Sequence, residues 1–345
     1  MNNKILFIYN AVPEEERIGY YGECMTIDNV AQMGRILSGK GHEIAHLNLR
    51  SPAQLQEFIY TKGTFLIAFC LAEGFLALPS TLYDGSGTPW VKYLLEKMSI
   101  PATHSSANAM QVCRNKDETY RRLAAKGIRV PAYSLIKPNM PSLDQQLKDI
   151  EEMMTYPLFV KPSGGGNSIG INASSIVNDG RELRAQLDYV HYQLDDSSIL
   201  VEDYLPGREY TIGIIGNKEK LVLPILGFPP NEGIRTTQVK RLSPTKRQEQ
   251  EIITSKDSRY WRLYKLAVDT FNAVGAQDIL RIDVREDKKG NPTVIDVNGT
   301  PSLSPGGSLP FMAAQSGISY DDLLLYVLNT ALKRIYSKEV ADITG

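Results

Sequence analysis

Hydrophobic and polar positions change their period several times along the first part of the chain. Three short apolar runs are typical of buried strands: residues 4–10, 43–49 and 64–71. Residues 26–42 and 88–98 instead carry apolar side chains at helical spacing, and the first of these segments ends on Gly39 and Gly41, which are helix stop signals. Strands that alternate with helices predict a parallel sheet covered by helices, which we assign to an N-terminal domain of residues 1–108.

The rest of the chain continues this mixture in a central domain, residues 109–201, and a C-terminal domain, residues 202–345. The periodicity predicts helices at 115–128, 142–154, 179–193 and 319–336, and strands at 130–136, 156–162 and 197–205. Asn115 is a candidate cap of the first of these helices, and Ser142 begins the second. The predicted fold class is α/β with α+β character.

A β-hairpin is predicted at residues 281–301, RIDVREDKKGNPTVIDVNGTP. A turn centred near Lys289 and Gly290 places residue 283 opposite residue 296, and side chains alternate along each strand. The polar face then carries Arg281, Asp283, Asp296 and Asn298, and the apolar face carries Ile282, Val284, Ile295 and Val297. Two carboxylates directly opposite each other destabilise a sheet, so we expect a positive charge between them.

A glycine-rich segment, KPSGGGNSIG at residues 161–170, follows a predicted strand. Glycines let backbone N–H groups approach an anion closely, and Lys161 on the incoming strand could reach phosphates. The order is not that of a Walker A motif, because the lysine precedes the loop, and the GxGxxG spacing is also absent. A simple hairpin loop fits the same residues.

Two glutamates flank a Pro-Gly turn in the segment VEDYLPGRE, residues 201–209. Glu202 at a strand end could accept a hydrogen bond from an adenine amino group, and Glu209 could accept from ribose hydroxyls. Taken alone, the segment fits equally a pair of solvated carboxylates around a turn.

Composition narrows the class of protein. The 345 residues are 42% hydrophobic with a net charge of −1, which is typical of a soluble globular protein and gives no sign of a nucleic-acid partner. The three cysteines form no CxxC pair, so we expect a reduced, cytoplasmic chain. The most apolar stretch, residues 63–79, is interrupted by Glu73 and Gly74, so no membrane span or membrane partner is expected.

These segments, in this order, resemble the ATP-grasp superfamily and, within it, the D-alanine–D-alanine ligases and their relatives. The resemblance covers residues 85–335 and rests on GTPWVKYLLEKMSIPATHSS, NKDETYRRLAAKGIRVP, YPLFVKPSGGGNSIGI, ILVEDYLPGREYTIGIIG, DILRIDV, VIDVNGTP and SLPFMAAQSGISYDDLL. It implies an ATP-grasp fold with a central lid domain and a C-terminal mixed-sheet domain, and ATP with Mg²⁺ or Mn²⁺ as cofactors. Analogy with the family also suggests a homodimer.

The resemblance also implies roles for individual residues. The nucleotide-binding set is Lys116, Lys161, Ser168, Glu202, Asp203, Leu205 and Glu209. The metal ligands are Asp283, Asp296 and Asn298, the catalytic cations are Arg281 and Lys240, and the substrate-binding set is Glu23, Asn167, Arg241 and Ser308. The two carboxylates and the amide would form half of a magnesium site that ATP completes, which accounts for the opposed aspartates. The loops 163–168 and 231–245 are expected to close over the nucleotide.

The departures from the family lie mainly on the substrate side. Arg241 stands where a tyrosine is usual and Asn167 where a serine is usual, while Asp296 replaces a metal-bridging glutamate. A guanidinium favours a substrate that bears a carboxylate, although Arg241 fits equally a surface charge on a loop.

Three functions fit these residues. The leading hypothesis is an amino-acid ligase that phosphorylates an oxygen of one small substrate and joins it to the amine of an amino acid. The acceptor would bear a carboxylate or a ketone, and one variant of the hypothesis is the attachment of an amino acid to a cyclohexenone during synthesis of mycosporine-like amino acids. The alternative is a divergent D-alanine–D-alanine ligase of cell-wall precursor synthesis, and the third is a non-enzymatic ATP-binding domain.

Overall fold

The computed structural model describes residues 3–39, 41–137, 143–164, 170–194, 198–230 and 250–342, except the side chains of Glu23 and of residues 337–342. The strands are β1 (Lys4–Tyr9), β2 (Glu43–Asn48), β3 (Ile67–Cys70), β4 (Tyr133–Ile136), β5 (Leu158–Pro162), β6 (Ile176–Val177), β7 (Ile199–Asp203), β8 (Glu209–Gly216), β9 (Lys220–Val222), β10 (Ile225–Phe228), β11 (Glu251–Ile253), β12 (Asp278–Glu286) and β13 (Pro292–Asn298). The helices are α1 (Ile27–Ser38), α2 (Pro52–Lys62), α3 (Gly87–Lys97), α4 (Ala107–Arg114), α5 (Lys116–Ala124), α6 (Leu143–Met153), α7 (Gly180–Gln193), α8 (Tyr260–Val274), α9 (Ser308–Gln315) and α10 (Tyr320–Asp342).

The N-terminal sheet is parallel, in the order β2-β1-β3, as the alternation of strands and helices predicted. Both of its faces are covered. Ile5 and Phe7 share a core cluster with α1, α9 and α10, whereas Leu6 and Ile8 share another with α2 and α3. The helix predicted at 26–42 begins after Thr26, whose side chain accepts a hydrogen bond from the Asn29 amide at 3.1 Å. The N-terminal sheet is therefore joined to the C-terminal part of the chain by a common core.

The central sheet is antiparallel, in the order β4-β7-β5-β6, and α6 and α7 cover one face. Alternation along β5 and β7 places Val160 and Val201 in that core and turns Lys161 and Glu202 to the opposite face. Asn115 was predicted to cap α5, but its side-chain amide donates to the Gln111 carbonyl at 2.8 Å instead. The predicted division into three domains stays a prediction, and its boundary at 201/202 falls inside β7.

The C-terminal sheet runs in the order β11-β10-β8-β12-β13, with β9 paired to β8. Helix α8 packs on one face, through the apolar side chains of β8, β12 and β13. The other face is divided: Ile215 and Ile279 pack in the core shared with α9 and α10, whereas Thr211, Arg281 and Asp283 form a polar end.

The hairpin formed by β12 and β13 has the predicted register at its polar end. Asp283 pairs with Asp296, and Arg281 pairs with Asn298. Beyond Asp283 a β-bulge shifts the register so that Val284 pairs with Val294. The prediction that Ile295 belongs to the apolar face was therefore wrong, because the extra residue turns Val294 into the core instead.

The apolar segment at 63–79 contains the buried strand β3, followed by a bridge between Phe75 and Leu78. Among the described residues, no helix is both long enough and apolar enough to span a bilayer.

Candidate active site

The polar face of the hairpin gathers the two aspartates predicted as metal ligands. Arg281 donates from Nη2 to Asp283 Oδ2 at 3.1 Å, and the same nitrogen lies 4.0 Å from Asp296 Oδ2. Thr211 on β8, which is opposite Asp283 in register, donates from its hydroxyl to Asp283 Oδ1 at 3.0 Å. The positive charge expected between the opposed carboxylates is thus provided in part by the Arg281 guanidinium.

Lys116 supplies a second cation to this face. It is the first residue of α5 and is buried, and its Nζ lies 3.5 Å from Asp296 Oδ1. Burial lowers the pKa of Lys116, and Lys161 and Arg114 act in the same direction, whereas Asp296 opposes the shift. The ammonium is therefore held in an environment where an added anion, such as a phosphate, would stabilise its charge.

Asn298 completes the set of oxygen ligands that the sequence predicted. It pairs with Arg281 in register, and its side-chain oxygen accepts from the Thr300 amide at 3.0 Å. Over the described ranges, no three side chains of His, Cys, Asp or Glu come together in a way that could hold a metal ion. Two carboxylates and an amide are hard oxygen donors that fit Mg²⁺, which commonly takes its remaining ligands from water and substrate phosphates.

A closed hydrogen-bond network lies where the central sheet meets the hairpin, and we name it the Lys161 network. It consists of Lys161, Glu202, the Tyr120 hydroxyl and the Ile295 carbonyl. Lys161 Nζ donates to Glu202 Oε1 at 2.7 Å, to the Tyr120 hydroxyl at 3.0 Å and to Ile295 O at 3.1 Å. The Tyr120 hydroxyl lies 2.8 Å from Glu202 Oε2 and 2.8 Å from Ile295 O. The network joins α5, the central sheet and β13.

The bulge in the hairpin explains how a backbone carbonyl takes part in this network. Ile295 is the extra residue of β13, and its carbonyl faces Lys161 and Tyr120. A bulge interrupts the ladder locally and re-aims the groups beside it. The feature that moved Ile295 out of the core thus contributes an acceptor to the site.

Sequence reasoning missed Tyr120 and Thr211, although the sequence contains a signal for each. Tyr120 follows Lys116 by four residues in a predicted helix, so the two side chains share a face. Thr211 follows Glu209 by two residues, and in the strand β8 this spacing puts both on one face.

The residues predicted to contact the base and the ribose lie at the end of β7 and the start of β8, beside the Lys161 network. Strand β7 ends at Asp203, and burial raises the pKa of this carboxyl while Lys288 opposes the shift. The Arg285 guanidinium lies over the ring of Tyr204, 5.2 Å from its centroid, and Arg285 pairs with Glu209 in register. The turn between β7 and β8, which includes Leu205, is therefore continuous with the Lys161 network.

Ser308, predicted to bind substrate, is the first residue of α9. The next residue, Leu309, packs where a side chain on Gly213 would stand, and Gly213 pairs with Arg281 in register. The absence of a side chain at Gly213 thus lets the start of α9 approach the strand that carries Arg281.

The remaining predicted residues cannot be placed in the site. Lys240, Arg241, Asn167 and Ser168 lie outside the described residues. Glu23 ends a short 3-10 helix, Gly19–Glu23, and its side chain lies outside the described part of the chain. The roles of these five residues stay predictions.

The chain is similar in sequence to D-alanine–D-alanine ligases. The family described as "D-ala D-ala ligase C-terminus" matches residues 122–329. The D-alanine–D-alanine ligase of Marinomonas sp. (strain MWYL1) is 30% identical over 304 residues, covering 87% of this chain and 88% of that protein. The ligase of Pelotomaculum thermopropionicum is 28% identical over 257 residues, covering 73% of this chain and 77% of that protein.

Solved structures agree on the fold. The D-alanine–D-alanine ligase of Bacillus anthracis, complexed with ATP, superposes with a TM-score of 0.73 at 24% identity, covering 97% of this chain and 99% of that one. The VanG D-Ala:D-Ser ligase of Enterococcus faecalis gives a TM-score of 0.72 at 18% identity, covering 96% and 100%. The predicted ATP-grasp fold is confirmed, and the chain belongs to the D-alanine–D-alanine ligase family, whose members are enzymes that form a carbon–nitrogen bond.

Proposed function

We propose that this enzyme uses ATP and Mg²⁺ to join two amino acids, and that D-alanine is the first of them. The observation that carries the proposal is the meeting of two sets of groups. The opposed Asp283 and Asp296, with Arg281 and Lys116 beside them, lie on the hairpin, and the Lys161 network lies next to them. Such a site could hold a triphosphate between two sheets.

Each residue would act by position and charge. Lys116 and Lys161 would neutralise the phosphates, Glu202 and Glu209 would accept from the base and the ribose, and Arg281 would stabilise negative charge that develops during phosphoryl transfer. Asp283, Asp296 and Asn298 would hold Mg²⁺, which supplies charge neutralisation between the phosphates when bound.

The reaction would proceed in two steps. An oxygen of the first substrate's carboxylate takes the phosphoryl group, ADP departs, and the amine of the second amino acid attacks the activated carbonyl carbon. The attacking amine loses a proton, phosphate leaves and an amide bond remains. Ser308, at the start of α9, would hold the carboxylate of the attacking amino acid.

The relatives' names support amino acids as both substrates, since they are D-alanine–D-alanine and D-Ala:D-Ser ligases. A cyclohexenone acceptor of the mycosporine type gains no support from them and stays a prediction. The cytoplasmic location and the homodimer expected from the family also stay predictions, and light scattering of the purified protein tests the second.

The test is ADP formation with single amino acids and with pairs, followed by mass spectrometry of the products. D-alanine alone should stimulate ADP formation and yield the dipeptide, and D-alanine with D-serine tests the choice of second substrate. Reactions without amino acid or without Mg²⁺ are the controls. ADP formation that responds only to other amines, with no D-alanyl product at millimolar D-alanine, would contradict the proposed substrate.

A further inference from the structure

In the Lys161 network, each of the three N–H groups of the lysine ammonium already donates a hydrogen bond. A lysine ammonium has three N–H donors, and those of Lys161 go to Glu202, to the Tyr120 hydroxyl and to Ile295 O. In this arrangement Lys161 has no donor left for a phosphate. If Lys161 contacts phosphate, as proposed above, it must first release one of these three acceptors.

The Tyr120 hydroxyl has one proton to donate and two acceptors within reach. Its hydroxyl lies 2.8 Å from both Glu202 Oε2 and Ile295 O, and it can donate to only one of them at a time. Burial raises the pKa of Tyr120 well above its ordinary value, and Glu202 adds to the shift, so the hydroxyl keeps its proton. If Lys161 releases Ile295 O, the Tyr120 hydroxyl is already within hydrogen-bond distance of that oxygen and can donate to it without moving its ring.

The surroundings favour rotation of the hydroxyl over movement of the ring. Tyr120 is fully buried, its ring packs edge-on against Tyr133 with centroids 5.3 Å apart, and Lys161 Nζ lies 5.4 Å from the Tyr120 ring centroid. The carbonyl of Ile295 is fixed by the strand. The parts that can move are therefore the lysine side chain and the hydroxyl proton.

We propose that Tyr120 is a positioning residue. When ATP binds, its hydroxyl stops donating a hydrogen bond to Glu202 Oε2 and donates to the Ile295 carbonyl oxygen instead. Lys161 then donates to a phosphate oxygen in place of Ile295 O. Glu202 Oε2, which no longer accepts from the Tyr120 hydroxyl, accepts a hydrogen bond from the adenine amino group. Recognition of the base and of the phosphates is coupled through one hydroxyl. This inference rests on the proposed ATP site.

Tyr120→Phe tests the proposal because it keeps the ring and removes the hydroxyl. Binding of ATP with Mg²⁺, in the absence of amino acids, should weaken about tenfold or more. The three N–H groups of an ammonium keep fixed angles, so the one that Tyr120→Phe frees still points at the ring while the other two stay on Glu202 and Ile295 O. Contact with a phosphate therefore still requires Lys161 to release Ile295 O, and in the variant no hydroxyl replaces it as donor. Binding of adenosine, which has no phosphate to draw Lys161 away, should change less than about twofold. Titration calorimetry measures both affinities.

Tyr133→Phe is the matched control, since it removes a hydroxyl from the neighbouring ring, which donates to the Asp117 carbonyl outside the network. It should leave both affinities unchanged. Equal weakening of ATP and adenosine by Tyr120→Phe would indicate a merely structural role and overturn the proposal, as would unchanged ATP binding. If the wild-type protein binds neither ligand, the ATP site itself is refuted, which is a separate outcome.

A crystal structure of the wild-type protein with ATP and Mg²⁺ decides the matter if Tyr120→Phe does not fold. The Tyr120 hydroxyl should remain within hydrogen-bond distance of Ile295 O, and Lys161 Nζ should have moved from Ile295 O to a phosphate oxygen. A lysine that keeps its three present acceptors while ATP is bound would overturn the proposal.

Discussion

Two buried groups of charged side chains connect distant parts of this chain, and they are built differently. The Lys161 network joins α5, the central sheet and the hairpin. The other, which we name the Asp278 cluster, consists of Asp278, Arg334, Asn217 and the Ala102 carbonyl. Arg334 donates from Nε and Nη2 to the two oxygens of Asp278 at 2.9 and 2.8 Å, and also to Ala102 O at 2.9 Å. Asn217 Nδ2 donates to Asp278 Oδ1 at 3.0 Å.

The difference lies in whether a bond can be exchanged. The Arg334 guanidinium is planar and forms a two-pronged contact, so losing one bond disturbs the other. Lys161 carries a compact charge on a flexible side chain. The Tyr120 hydroxyl lies within hydrogen-bond distance of one of its acceptors, Ile295 O, and can replace the lysine as donor there. Burial and charge alone therefore do not identify a functional site. A buried ion pair with an exchangeable partner is suited to a ligand, and a forked pair without one is suited to holding the fold.

The largest effect is expected from Asp283→Asn, which should lower kcat strongly and change the free energy of unfolding little. Loss of one carboxylate from the proposed metal site should lower kcat about a thousandfold, because charge neutralisation at the phosphates weakens. Asp287→Asn, at the turn of the same hairpin, is the matched control and should keep its activity. A variant at Asp283 with normal kcat at saturating Mg²⁺ would remove the metal site from the hairpin.

Asp278→Asn should give the reverse pattern. Asp278 is fully buried, and removing its charge leaves the Arg334 guanidinium without its counter-ion, so the free energy of unfolding should fall by about 3 kcal/mol. Asparagine tolerates the left-handed backbone at this position, where φ is 65°.

Urea denaturation measures the loss, and the affinity for ATP should be unchanged in the folded fraction. Asp269→Asn is the control, since its exposed pair with Lys265 contributes less than about 1 kcal/mol. If Asp278→Asn weakened ATP binding as well, the two buried groups would not be separable in the way we describe.

The sequence predicted Lys161 and Glu202 of the Lys161 network as site residues, and it predicted nothing of the Asp278 cluster. It also predicted the hairpin that adjoins the network. The register of Asp283 with Asp296 follows from a local turn and from alternation, both of which are visible in 21 consecutive letters, residues 281–301. The bulge at Ile295 does not follow, because the ladder on both sides of it is compatible with an unbroken strand. The Lys161–Glu202 contact depends on the pairing of β5 with β7.

The Asp278 cluster brings together residues too far apart in the chain for any motif to reveal. Arg334 contacts Asp278 across 56 positions and the Ala102 carbonyl across 232. Its existence follows only from the packing of α10 against β12 and the N-terminal sheet. Local patterns thus predict elements and hairpins, and the polar contacts between sheets require the assembled fold.

A smaller effect is expected from His104, which lies close to the Asp278 cluster. Burial lowers the pKa of His104 to about 3, and the nearby Lys92 and Arg334 act in the same direction. The unfolded chain binds this proton near its ordinary pKa of 6.5, so between pH 6.5 and about 3 the unfolded state holds more protons. Stability should therefore fall as the pH falls, by about 2 kcal/mol from this residue between about pH 8 and about pH 5.

His104→Asn tests this by removing the titrating group while tolerating the left-handed φ of 68°. Urea denaturation across the same pH range should show a shallower pH dependence than in the wild type, whatever the absolute stability. His191→Asn, on the exposed surface of α7, should keep the wild-type slope. An unchanged slope for His104→Asn would mean that the imidazole is not held neutral.

The smallest effect in this series is expected from Glu202→Gln, which alters the exchangeable group without removing its bulk. Loss of one charge-assisted hydrogen bond should weaken ATP binding about tenfold. The glutamine amide can also donate to the 6-oxo group of inosine, so the preference for ATP over ITP should narrow, and calorimetry with both nucleotides measures the ratio.

Glu286→Gln is a close control for this change, because Glu286 also accepts from a buried tyrosine hydroxyl, that of Tyr210, at 2.8 Å. It should leave the ratio of ATP to ITP affinity unchanged. An unaltered ratio in Glu202→Gln would separate Glu202 from base recognition, and the Lys161 network would then resemble the Asp278 cluster, holding two sheets together without responding to a ligand.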